Sequence, residues 1–140
     1  MNREAIYQAL FAKLADVPGL KTTSRKLRHW SDVQASEQPA LFQAQKNEVG
    51  IRQQGLDTKW TLNLDIYVYV NTSGEACPAS QLNQIMDDIE AALLPDNQIK
   101  NTNTLGGLVH HCRIEGSIET DEGTLGDQAV AIVPIVILVT

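Results

Sequence analysis

Three consecutive residues, His110, His111 and Cys112, are the densest group of metal-binding and nucleophilic side chains in the sequence. In a strand, His110 and Cys112 share a face while His111 points away, so at most two of them can meet one ion. A closed zinc site needs four ligands, and only His29 and Cys77 remain to complete it through folding. There is no C-x-x-C or H-x-x-x-H spacing. A second group, Glu115, Glu119, Asp121, Glu122 and Asp127, offers paired carboxylates or a cation-assisted subunit contact. Its DEGTLGD core lacks the ligand spacing of a calcium-binding loop and reads as an acidic, solvated turn. None of Ser24, Ser31, Ser73 and Ser80 sits in a nucleophile elbow, and Gly106, Gly107 and Gly123 do not form a phosphate loop. The expectation is a protein that is not an enzyme and uses no metal or cofactor.

The remaining chemistry is that of contact. Arg25, Lys26 and Arg28, beside His29 and Trp30, form the one dense basic group. A Trp among cations can stack a nucleobase. The chain's net charge is −6, however, and it lacks an extended basic stripe, so tight nucleic-acid binding is not expected. An acidic protein surface is the better partner, since Trp and Arg are frequent interface anchors. Charge is also divided along the chain. Residues 1–60 hold nine Lys/Arg against six Asp/Glu, and residues 61–140 hold two against eleven, so the balances are +3 and −9. Such a two-sided subunit can meet the next copy head to tail, which generates rings or filaments.

These groups must be positioned by recognisable elements. Residues 60–70, WTLNLDIYVYV, alternate strictly between Trp60, Leu62, Leu64, Ile66, Val68 and Val70 on one side and Thr61, Asn63, Asp65, Tyr67 and Tyr69 on the other. That period of two predicts a long strand with one buried face. Its Tyr67 and Tyr69 suggest a second face that is only partly wet, packed on a helix or a neighbouring subunit. Residues 79–94 carry the clearest helical stripe, Leu82, Ile85, Met86, Ile89, Ala92 and Leu93, closed by Pro95. Residues 3–16 predict a first helix with Ile6, Leu10, Phe11 and Leu14 inward, Asn2 as cap and Pro18-Gly19 as stop.

Further strands are expected over residues 20–30, 40–48, 108–115 with a continuation at 117–120, and 129–139. Residues 31–39 read as a loop, and residues 49–59 as a hairpin connection projecting past the sheet, long enough to be a functional arm. Pro134 implies an edge, a bulge or a break in the last strand. The order α-β-β-β-α-β-β predicts an α+β fold, a two-layer single domain over residues 1–140. Its mostly antiparallel or mixed sheet of about five strands carries both main helices on one face. With 43% hydrophobic and 20% charged residues the chain is globular in composition, and it has room for one core. No stretch approaches a membrane helix and the start, MNREAIYQALF, has no signal-peptide pattern, so a cytoplasmic location with reduced thiols is expected.

Taken together, residues 22–48 (TTSRKLRHWSDVQASEQPALFQAQKNE), KWTLNLDIYVYVN and residues 104–135 (TLGGLVHHCRIEGSIETDEGTLGDQAVAIVPI) resemble small proteins encoded among phage and prophage tail genes. Those proteins look like the tail terminator, or minor tail and tail-completion, family of long-tailed bacteriophages. The resemblance covers nearly the whole chain in length and element order. It implies a small α/β subunit that assembles as a ring, typically of six, on the last ring of the tail tube. Such a ring stops tube polymerisation and offers a surface to the head-completion or connector protein. A head–tail connector or neck subunit is the alternative in the same setting, and a small cytosolic metal-binding domain or enzyme is the alternative outside it. The resemblance carries no functional residue with it. On charge and exposure, Arg25, Lys26, Arg28, Trp30, Arg52, Tyr67 and Tyr69 are the expected contacts to neighbours and partners. Reversing Arg25 and Arg28 to Glu is expected to leave a folded monomer that does not assemble.

Overall fold

The computed structural model describes residues 1–139 as two helices and a six-stranded mixed sheet, an α+β fold. Helix α1 spans Arg3–Ala15, and the side chain of Asn2 caps it by accepting the Ala5 N–H at 3.1 Å. Strands β1 (Thr22–Ser24), β2 (Ala40–Ile51) and β3 (Lys59–Asn71) follow, then helix α2 (Ala79–Ala92). Strands β4 (His111–Ile114), β5 (Glu119–Asp121) and β6 (Gln128–Val139) complete the sheet. The spatial order is β1-β2-β3-β6-β4, with β5 also paired to β6. Strands β1 and β2 pair in parallel, and the β2–β3, β3–β6, β4–β6 and β5–β6 pairs are antiparallel.

Both helices lie on one face. Ile6, Leu10 and Leu14 of α1 and Leu82, Ile85 and Ile89 of α2 share a core with Leu62, Leu64, Ile66, Val68 and Val70 of β3. Tyr7, not Phe11, completes the buried stripe of α1: it is 2% exposed, and its hydroxyl donates to Glu48 Oε1 at 2.9 Å. A phenol can be buried at that depth because its one polar atom keeps a partner. The opposite face is covered over part of its area by the segment joining β1 to β2. Two short 3-10 turns, Trp30–Asp32 and Ala35–Glu37, bring Val33 onto Ala40, Phe42, Tyr69 and Val130.

Three elements depart from the sequence expectation. Strand β1 ends at Ser24, because residues 25–39 leave the sheet edge to cross that second face. Strand β2 runs three residues further than expected, to Ile51, and carries a bulge: Gln45 pairs with Leu64 and Asn47 with Asn63, leaving Lys46 extra. The bulge reverses the alternation, so that Glu48 opposes Leu62 on the helical face and reaches Arg3 and Tyr7.

The expected strand over 108–115 begins only at His111, and its continuation is a strand in its own right. Ile114 pairs with Ile135 and Glu119 with Ile132, so residues 115–118 bulge out against 133–134. Pro134 sits in this interruption. Its carbonyl faces Glu115, whose N–H it accepts at 3.3 Å, so the side of Pro134 that has no N–H also faces the gap. A proline is thereby tolerated in a strand that pairs with β3 along its whole length.

Candidate subunit interface

The seven residues expected to make contacts are distributed over separate parts of the structure. Arg25 forms a two-pronged pair with Glu4, Nη1 to Oε2 at 2.8 Å and Nη2 to Oε1 at 3.0 Å. Arg28 Nη1 stands 2.7 Å from Glu37 Oε2, its Nη2 donates to the Asp32 carbonyl at 2.9 Å, and its guanidinium lies 5.9 Å from the centre of the Phe42 ring. Hydrogen bonding to Arg25 and to Arg28 holds the Glu4 and Glu37 carboxyls below their ordinary range. Tyr69 is 3% exposed and donates to the Arg28 carbonyl at 2.9 Å; burial pushes its hydroxyl up to about 12. Trp30 is half-buried against the smaller core.

Arg25 pins helix α1 and Arg28 fastens the crossover onto the sheet, so neither is a free surface cation. The Arg25→Glu, Arg28→Glu reversal would thus break two ion pairs within the subunit as well as change its surface. Reversal sets new carboxylates against Glu4 and Glu37 inside the subunit. Lys26 and Arg52 remain exposed, on different loops, and Tyr67 is half-buried on the sheet face opposite the helices, packed against the smaller core. There Tyr67 lines a groove of about 530 Å³ with Asn63, Asp65, Ile132, Pro134 and Glu119.

The fold divides the cluster at 110–112 between surface and core. His110 precedes β4 and is exposed, whereas Cys112 is fully buried in the main core, where its thiol is raised to about 12 by burial. A thiol so held is a poor nucleophile at neutral pH. His111 Nδ1 accepts the Asn103 N–H at 3.1 Å, and Cys112 N–H donates to the Asn103 carbonyl at 2.8 Å. The pair fastens the 96–107 loop beneath β4. Asp96 organises the same loop by accepting from the Thr104 N–H at 2.8 Å and from Gly106 at 3.2 Å, contacts that lower its carboxyl. Asp121 accepts from the N–H groups of Gly123 and Thr124, both at 2.9 Å, and from the Thr124 hydroxyl, closing the acidic turn on itself. Among the described residues, no group of three or more His, Cys, Asp or Glu is arranged to hold a metal ion.

Two features stand out of the surface, the arm expected from residues 49–59 and a groove that the sequence did not single out. The β2–β3 hairpin is a ladder out to the Ile51–Lys59 pair. It carries Val49, Ile51 and Leu56, which are 46%, 62% and 53% exposed. Across the sheet, an apolar groove of about 660 Å³ runs between α2 and the β4–β5 edge. Its floor is Met86, Leu93, Ile114 and Val133, its lips are Leu94 and Ile118, and Asp87, Glu90 and Arg113 stand at the rim. Strand order gathers the acidic residues Glu115, Glu119, Asp121 and Glu122 at one side of the sheet, whereas on the other β2 carries Lys46 and Glu48, and Lys21 and Lys26 flank β1. Strands β1 and β2 from the basic half form one edge, and β4 and β5 from the acidic half form the other.

No family model matches this chain, and no curated protein matches it. A solved structure 14% identical in sequence superposes with a TM-score of 0.57, covering 100% of this chain and 96% of its own. At that identity the likeness concerns the fold. Among the described residues, no helix is long and apolar enough to cross a membrane.

Proposed function

We propose that this chain is a structural tail terminator of a long-tailed phage, with no enzymatic activity of its own. Copies close into a ring, with six members as the expected number. The ring caps the tail tube, halts its polymerisation and presents a surface to the head-completion protein. The chain works in the host cytoplasm during assembly and ends in the virion tail. The resemblance of residues 22–48, 59–71 and 104–135 to that family motivates the reading.

The observation that carries it is the asymmetry of the two sheet flanks: Glu115, Glu119, Asp121 and Glu122 gather beside β4 and β5, and the opposite flank, with Lys21 and Lys26 beside β1, has no such acidic cluster. A subunit whose two flanks differ in this way favours heterologous contacts, and these close into a ring when the rotation between copies permits. The acidic surplus suits a channel through which DNA slides without adhering, because like charge repels phosphate.

The test is electron microscopy of particles from a prophage lacking this gene. Overlong tails not joined to heads are expected. Normal-length tails beside filled, tailless heads would move the chain to the connector position, and intact infectious virions would end the morphogenetic reading.

A further inference from the structure

We propose that the β2–β3 hairpin of one copy inserts into the groove between α2 and the β4–β5 edge of a second copy. This rests on the ring-forming reading above and names the surfaces that would make the ring's side contact. The occupant of the groove is argued from three observations.

The first is that each surface is apolar and exposed. Val49, Ile51 and Leu56 stand out on the hairpin, and Leu94 and Ile118, 63% and 42% exposed, form the lips of the groove. Exposed apolar groups gathered at one place commonly mark contact surfaces.

The second is charge. The hairpin carries Arg52 and Lys59 against the single acid Asp57. The groove rim carries Asp87 and Glu90, and its one cation, Arg113, is already engaged by Glu115 at 3.0 Å. Cations beside the inserted apolar groups thus meet carboxylates beside the receiving ones, which aligns the approach and fixes the register.

The third is geometry. The hairpin leaves the sheet at β2–β3, and the groove lies beyond β6 on the far edge. Strands β2 and β4 are three strand spacings apart, roughly 14 Å at about 4.8 Å each. A paired ladder out to Ile51 and Lys59 cannot bend back across that distance onto its own groove. The two surfaces are different patches of one molecule, so their contact is head to tail and propagates until a ring closes.

The test uses two exposed-site double variants, Ile51→Glu with Leu56→Glu on the hairpin and Leu94→Glu with Ile118→Glu at the groove. Sedimentation velocity follows mass against concentration, and circular dichroism confirms that each variant is folded. The wild type is expected to grow in mass with concentration. Each variant alone should stay monomeric at concentrations at least tenfold above the wild-type onset. A 1:1 mixture of the two variants retains one intact hairpin and one intact groove, so it should form heterodimers and nothing larger.

As a second readout, Leu56→Cys and Ile118→Cys chains are mixed in a Cys77→Ser background and should form an intermolecular disulfide under oxidation. A wild type that is monomeric up to about 1 mM, the weakest affinity worth calling specific here, together with no cross-link, overturns the contact. So do variants that assemble like wild type. If such variants are found while deletion of the gene still gives overlong tails, this contact falls and the terminator reading stands. Normal tails on deletion, with the heterodimer observed, would leave the contact and remove the terminator reading.

Discussion

His111 couples a titratable ring to a loop contact that the fold needs. Burial, with the neighbouring Arg113 guanidinium, lowers its pKa, and its neutral Nδ1 accepts the Asn103 N–H. The folded value is below the unfolded one, about 6.5. The unfolded chain therefore binds the proton first as pH falls. The stabilisation is complete above that unfolded value and is lost as pH drops through the folded one. The urea midpoint should be lower at pH 5.5 than at pH 7.5, and His111→Gln, which keeps an acceptor without titrating, should flatten the difference.

Gly116 is a second residue-scale test. At φ +116° it occupies backbone space that L side chains rarely adopt, and an added Cβ would lie 3.2 Å from Pro134 Cγ. Gly116→Ala should cost about 1–3 kcal/mol by chemical denaturation. The glycine was legible as a turn or bulge between the two strand segments, but the role of His111 was not legible from the residues alone. A histidine beside a cysteine suggests ligation until the backbone N–H of Asn103, eight residues away, is seen to occupy its ring nitrogen.

At the scale of elements, legibility followed the regularity of the pattern. Helix α2 and strand β3 are strictly periodic, and both occupy their expected positions to within two residues at either end. Their inward residues carry the core: Ile89, fully buried on α2, should cost about 2–5 kcal/mol when cut to Ala, measured by thermal or urea unfolding. Met86, half-buried at the groove, should cost less.

The misread elements are those whose path depends on distant partners. The bulge at Lys46 moves Glu48 to the helical face, where Arg3 and Tyr7 await it, and no local feature of ALFQAQKNEVG announces that shift. Arg25 and Arg28 looked free because Glu4 lies 21 residues before the one, and Glu37 reaches the other only after two 3-10 turns fold the crossover back. Pro134 did announce a bulge, which is located on the partner side of the ladder at residues 115–118.

At the scale of the whole molecule, the α+β class and the two helices on one face were legible, because amphipathic elements in that order have few ways to bury their apolar sides. The groove and the arm were not equally so. The arm was visible as a long connection, whereas the groove exists only once α2 is laid beside an interrupted sheet edge. That same sheet has a consequence in time. Strand β6 stands between β3 on one side and β4 and β5 on the other and follows all of them in sequence, so the sheet has no centre until residues 128–139 have been made. A nascent chain that has emitted β3 holds its apolar face in waiting, since the β3–β6 ladder joins residues as far apart as Trp60 and Val139. Closing so long a loop is slow relative to local helix formation. The sheet is therefore expected to form only once β6 has been made, leaving the apolar face of β3 exposed to misassociation until then.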